Sequence, residues 1–204
     1  SPAFPTNTFW HLGATSAVVG ARHTQPPLGL MTVAALLPSA WTCRLIDRNV
    51  SDLTDADLAW ADLVMTGGMN VQRFDCLAVI ALAHRQGKPV VVGGPDVTSQ
   101  PEAYGEADFI VCGEAENVIA GLISAWNEGR RGGTFVAERS SVNITCTPVP
   151  RFDLARRGDY LFYSVQFSRG CPFTCEFCDI IELYGRVPRV KTAEQVLREL
   201  DVLY

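Results

Sequence analysis

Phe74-Asp75-Cys76-Leu77-Ala78-Val79-Ile80-Ala81-Leu82-Ala83-His84-Arg85-Gln86-Gly87-Lys88-Pro89-Val90-Val91-Val92-Gly93-Gly94-Pro95-Asp96 is the stretch whose reading decides the fold. Phe74 to Gln86 places Leu77, Ile80, Ala81 and His84 on one helical face. Gly87 then closes the helix, since glycine takes the left-handed closing conformation without strain. Val90 to Val92 is a short, wholly apolar run, the pattern of a strand covered on both faces. Gly93-Gly94-Pro95-Asp96 breaks that run with turn residues. Helix, buried strand and glycine turn in this order are the working parts of a βαβ unit.

The same pattern recurs on either side. Leu63 to Thr66 reads as a strand followed by Gly67-Gly68-Met69-Asn70, and Phe109 to Cys112 as a strand followed by Gly113-Glu114. Cys43 to Ile46 reads as a further short buried strand. Pro27 is placed to start a helix that runs through Ala34, Ala35 and Leu36 and stops before Pro38. Glu114 to Glu128 puts Val118, Ile119, Leu122, Ile123 and Trp126 on one face and ends at Gly129. The predicted fold class is α/β, a flavodoxin- or Rossmann-like doubly wound parallel sheet with right-handed crossovers and helices on both faces. Ser1 to Gly20 holds Phe4, Phe9 and Trp10 without a clean period.

In an open parallel sheet a ligand sits at the carboxyl ends of the strands. Here those ends supply Thr66, Gly67, Gly68, Met69, Gly93, Gly94, Pro95, Gly113 and Glu114 as candidate cofactor-binding residues. Glycine admits close backbone approach and positive φ, so three such loops on one rim suit a broad ligand. Glycines at strand ends also serve as plain turn residues, and none of these loops is a dinucleotide fingerprint or a P-loop.

The chain has 204 residues, 48% hydrophobic and 19% charged, with a formal net charge of −5. Residues 1–129 are the more acidic part, and neither part carries the basic stripe that neutralises phosphates, which argues against a nucleic-acid partner. No apolar run is long enough to span a membrane, and the first residues do not read as a secretion signal, so the expected location is the cytoplasm. A small-molecule or lipid-like substrate fits this composition better.

Regularity is lost from Arg130 onward. Gly132-Gly133 and then Thr147-Pro148-Val149-Pro150 mark 130–159 as a linker between an α/β domain at 1–129 and a second unit at 160–204. Leu161 to Ser168 reads as a strand, and Thr192-Ala193-Glu194-Gln195 as a capping box that opens a helix carrying Val196, Leu197, Leu200 and Leu203. Between them lies Ser168-Arg169-Gly170-Cys171-Pro172-Phe173-Thr174-Cys175-Glu176-Phe177-Cys178. Three thiolates at this spacing can converge on one inorganic centre. They are one short of a closed tetrahedral zinc site, and they would leave one iron of a four-iron cluster open. A zinc site completed by a distant Cys or His remains an alternative. Disulfides do not suit an odd total of seven cysteines, of which Cys43, Cys76 and Cys112 lie in apolar segments; Cys146 has no assigned role.

Cys171, Cys175 and Cys178, with Phe177 before the last cysteine and a strand-like segment before the first, resemble the signature of the radical S-adenosylmethionine (SAM) enzymes. The resemblance implies a 4Fe-4S cluster on those cysteines, with Phe177 beside the cofactor. The cluster would bind and cleave SAM to a 5′-deoxyadenosyl radical, fed by an electron donor such as a flavodoxin or ferredoxin. Pro27-Leu28-Gly29-Leu30, Gly93-Gly94-Pro95 and Gly113-Glu114-Ala115-Glu116 resemble the cobalamin-binding domain of the cobalamin-dependent members, which adds Leu28 and Gly29 to the candidate cofactor residues. Asp57-Leu58-Ala59-Trp60-Ala61-Asp62-Leu63 and Gln166-Phe167-Ser168-Arg169-Gly170-Cys171 look closest to the hopanoid C-2 methylase branch.

What the resemblance implies is a methyltransferase acting on an unactivated carbon. Oxidative cyclisation, methylthiolation and a non-catalytic cobalamin- or metal-binding module are the competing readings. None of His11, His23 or His84 sits in the Asp-x-His-x-x-Gly setting of a histidine that ligates cobalt. By the same resemblance, an apolar strand should end near Phe4-Pro5 and is missing. Residues 160–204 would be the first βα unit of a truncated partial TIM barrel, so that the isolated chain would be inactive.

Overall fold

The computed structural model describes residues 1–8 and 11–204; Phe9 and Trp10, noted above, lie outside the described residues. In chain order the elements are α1 (Gly13–Val18), α2 (Leu28–Leu36), α3 (Asp55–Trp60), β1 (Val64–Gly67), α4 (Arg73–Arg85), β2 (Val90–Gly93), α5 (Pro95–Ser99), β3 (Phe109–Cys112), α6 (Ile119–Asn127) and β4 (Gly133–Val136). They are followed by β5 (Ser168–Arg169), α7 (Ile180–Tyr184), β6 (Arg189–Val190) and α8 (Ala193–Leu203).

The sheet is of the expected parallel kind, with three of its strands where the sequence placed them. Strands β1-β2-β3-β4 lie in sequence order and all pair in parallel, with Val64 opposite Val90, Val91 opposite Phe109 and Phe109 opposite Gly133. Alternate residues of each strand feed two cores. Val90 and Val92 pack with Leu58 of α3 and with Cys76, Ile80 and Ala83 of α4. Val91, Phe109 and Val111 pack with Ile119 and Leu122 of α6, and Val33 and Leu36 of α2 lie against the same cluster. Helices therefore cover both faces, which is why the strands read as continuous apolar runs.

Several expectations are corrected. Cys43–Ile46 is not a strand. β1 is the sheet edge, and an apolar slot lined by Thr42–Ile46 on one wall and Val64–Thr66 on the other separates the two segments. Ser1 lies at this slot and bonds the outer segment: its nitrogen donates to the Ile46 carbonyl at 2.7 Å, and its carbonyl accepts from the Arg48 amide at 3.1 Å. The buried stripe of α4 is Cys76, Val79, Ile80 and Ala83; His84 instead meets Asp108 at 2.9 Å on a partly exposed surface.

The stretch read as a linker carries β4, and its Phe152 and Ala155 are buried, together with Tyr160, against Met31 and Val50. Leu161–Ser168 is not a barrel strand. The amides of Leu161 and Phe162 bond the carbonyls of His23 and Thr24, and only Ser168–Arg169 enters a ladder, antiparallel to Arg189–Val190. The capping box at Thr192 is present and opens α8. Among the described residues no helix is long and apolar enough to cross a membrane.

Candidate functional site

Above the carboxyl ends of β1, β2 and β3 the chain forms an open cavity of about 750 Å³. Its wall includes Leu28 and Gly29 from the start of α2, Thr66, Gly67, Gly68 and Met69 after β1, Gly93, Gly94 and Pro95 after β2, and Gly113 and Glu114 after β3. The candidate cofactor residues read from the sequence are thus brought to one place, with the exception of Phe177, which is 91% exposed and outside this wall.

The glycines there do two different things. A Cβ on Gly67 would stand 2.0 Å from the Gly93 carbonyl oxygen, and Gly94 has φ +104°, so these two glycines let the β1 and β2 loops touch each other. Gly29 differs, because a Cβ built on it meets nothing within 4 Å and it borders the open cavity. Nothing in the protein's own packing calls for glycine at this position.

A polar frame holds these loops. Arg73 at the start of α4 donates Nε to Asp96 Oδ2 at 2.7 Å and Nη2 to Oδ1 at 2.5 Å, and the Tyr104 hydroxyl donates to the same carboxylate at 2.6 Å. The Arg73 hydrogen bond, aided by Tyr104 and opposed by burial, holds the Asp96 carboxyl below the ordinary carboxylate range. The Met69 amide donates to Gln72 Oε1 at 3.1 Å, and Gln72 Nε2 donates to the Pro2 carbonyl at 2.7 Å. The Cys76 thiol beneath Thr66 is pushed up to about 11 by burial, which makes it an inert packing group.

Sequence reasoning missed the other side of the cavity. His23, Thr24, Gln25, Asp47, Asn49, Gln166, Arg169 and Tyr184 also line it. The His23 ring stacks on Phe4 at 5.8 Å, and burial, opposed by Asp47, lowers its pKa. The loops that bring these residues in have no period to read. Glu114 is a partial surprise as well: it lines the cavity, but its carboxylate is engaged by Arg169 at 2.9 Å and Arg189 at 2.8 Å.

Cys171, Cys175 and Cys178 follow directly on β5 and are all free thiols. The Cys171 amide donates to the Gly185 carbonyl at 3.1 Å and the Cys178 amide to the Cys175 carbonyl at 3.2 Å, so each end of the loop has a backbone anchor. Among the described residues no three His, Cys, Asp or Glu side chains are gathered as a metal site. In kind and number the thiols suit a three-thiolate centre, and the loop has to draw its sulfurs together to hold one.

An open parallel sheet with a crest cavity between its glycine loops defines a cofactor-binding protein of the doubly wound class. Residues 15–123 match the B12 binding domain, and the chain belongs to that family. It is 47% identical over 205 residues to an uncharacterised methyltransferase of Synechocystis sp., covering 100% of this chain and 38% of that protein. It is 41% identical to the hopanoid C-2 methylase of Rhodopseudomonas palustris over 86% of this chain and 34% of that one. To the bacteriochlorophyllide d C-12(1)-methyltransferase of Chlorobaculum tepidum it is 26% identical over 91% of this chain and 42% of that one. The chain spans between about a third and a half of the length of these relatives.

Proposed function

We propose that the chain is the cobalamin-binding part of a radical SAM methylase that methylates an unactivated carbon of a small-molecule or lipid-like substrate of the hopanoid kind, in the cytoplasm. One observation carries the reading: the cavity over the sheet of a B12-binding domain is walled on its far side by Arg169, two residues before the cysteine triplet. The methylase relatives support the reaction type, and the hopanoid C-2 methylase supports the substrate class.

Leu28, Gly29 and the three glycine loops would seat the corrin. Cys171, Cys175 and Cys178 would hold a 4Fe-4S cluster, with SAM bound beside it, Phe177 drawn towards it, and electrons arriving from a flavodoxin or ferredoxin. The cofactors supply methyl transfer and one-electron chemistry. This chain's residues place them and exclude water. The polar frame of Asp96, Arg73 and Tyr104 fixes the β2 loop, and the buried apolar faces below give the cavity a rigid floor.

A second reading has one specific support. The chain is 30% identical over 145 residues to an anaerobic magnesium-protoporphyrin IX monomethyl ester cyclase of Rubrivivax gelatinosus, which makes an oxidative cyclisation the alternative reaction.

Titration with hydroxocobalamin, followed in the visible spectrum, tests the cavity. The wild-type chain binds, whereas Gly29→Leu loses binding at least about tenfold while its melting temperature is unchanged or higher, since leucine is the better helix former. Equal binding by both sinks the corrin assignment. Anaerobic reconstitution with iron and sulfide should give about four irons per chain, lost in Cys175→Ala. Stoichiometric zinc without iron uptake rules the cluster out.

A further inference from the structure

We infer that Arg169 and Arg189, with Glu114 and Glu116, form a positioning clamp that fixes the cysteine loop to the rim of the cavity and transmits ligand binding from the cavity to that loop. This rests on the cobalamin reading.

Arg169 Nη1 donates to Glu114 Oε1 at 2.9 Å and its Nη2 to Glu116 Oε1 at 2.7 Å. Arg189 Nη1 donates to Glu114 Oε2 at 2.8 Å. The side chains of Arg169 and Glu114 are only 9% and 3% exposed. The two carboxylates come from the loop after β3, and the two guanidiniums from the paired strands β5 and β6 on either side of the cysteine loop. Burial opposes the charge on Glu116, yet Arg169 keeps its pKa below the ordinary value.

A buried pair of this kind gives little net stability over apolar packing, but the planar fork of arginine dictates orientation. Both guanidiniums are engaged further, although Arg189 Nε is buried without a hydrogen-bond partner among the described residues. Arg169 Nε goes to Gln166 Oε1 at 2.8 Å, while Arg189 also donates to the carbonyls of Val142 at 2.9 Å and Tyr184 at 3.0 Å. The residue between the clamp and the first thiol is closely packed. Gly170 has φ +90°, and a Cβ on it would lie 2.5 Å from the Val187 carbonyl oxygen. On the other side, Gly113 at φ +84° and Glu114 are themselves cavity wall. The route from cavity to sulfur is therefore Gly113, Glu114, Arg169, Gly170, Cys171.

Hydrogen exchange of the chain, with and without hydroxocobalamin, tests this against Arg169→Lys, which keeps the charge but cannot bridge both carboxylates. Without ligand, exchange at residues 169–171 should quicken about tenfold in R169K while residues 64–66 and 90–92 are unchanged. Unchanged loop exchange, or loop and sheet quickening together, overturns the clamp. With hydroxocobalamin, wild type should be protected at 66–69 and 93–94, which line the cavity, and also at 170–171, which do not; R169K should be protected only at the first two. Protection of 170–171 persisting in R169K overturns the transmission. No protection anywhere in wild type overturns the cobalamin reading instead, and the ligand-free comparison still decides the clamp. Should R169K fail to fold, Glu116→Ala, which removes the second acceptor and leaves the Arg169 to Glu114 bond in place, gives the same comparison.

Discussion

Asp96 shows how much of this site is decided by single side chains that no motif announces. It sits 3% exposed at the start of α5 and receives Arg73 and Tyr104, which tie the β1 and β2 loops together. Asp96→Asn should destabilise the chain by about 2–4 kcal/mol, the cost of breaking a buried charged pair, as read by urea unfolding. The pH dependence follows from the depressed carboxyl pKa. Its stabilising contribution is full above the unfolded value of 3.8 and fades as the pH falls through the lower folded value, so D96N should show a flatter loss of stability on the acid side. A parallel acid limb in both proteins would count against this role. In the sequence Asp96 was visible only as part of a turn, because its partners lie 23 residues back and 8 residues on.

Among the elements, β2 and β3 were legible because a strand buried on both faces leaves a run of apolar residues that a glycine ends. Cys43–Ile46 is apolar apart from Arg44 and fails as a strand, since a strand needs a neighbour to receive its hydrogen bonds and β1 stands across an apolar slot from it. Strand β4 was missed for the opposite reason: Gly133-Thr134-Phe135-Val136 looks like loop, and only the edge of β3 makes it a strand. Helix α3 carries a local signal of its own, the Thr54–Asp57 capping box. The close approach of β1 to β2 gives a prediction at this scale. Gly67→Ala, whose Cβ meets backbone and not a flexible side chain, should cost about 2–4 kcal/mol in urea unfolding. A loss under half a kcal/mol would mean the loops spread apart easily.

Over the whole molecule, the two parts that the sequence separates at a linker are joined by packing. Met31 of α2, Val50, Phe152 and Tyr160 make one buried cluster, with Leu203 of α8 against it, and the Tyr160 hydroxyl donates to Asp47 at 3.0 Å. Thermal unfolding should accordingly follow a single cooperative transition, with tryptophan fluorescence and far-ultraviolet circular dichroism coinciding. Two separated transitions would mean that residues 160–204 melt as a unit of their own. The cavity was legible from its floor of glycine loops, whereas its far wall comes from segments with no period. The cysteine loop has a practical consequence for anyone handling the protein. Cys175 is an exposed free thiol in a loop whose Phe173 and Phe177 also face solvent, so protein kept in air without a reductant should cross-link or oxidise there first.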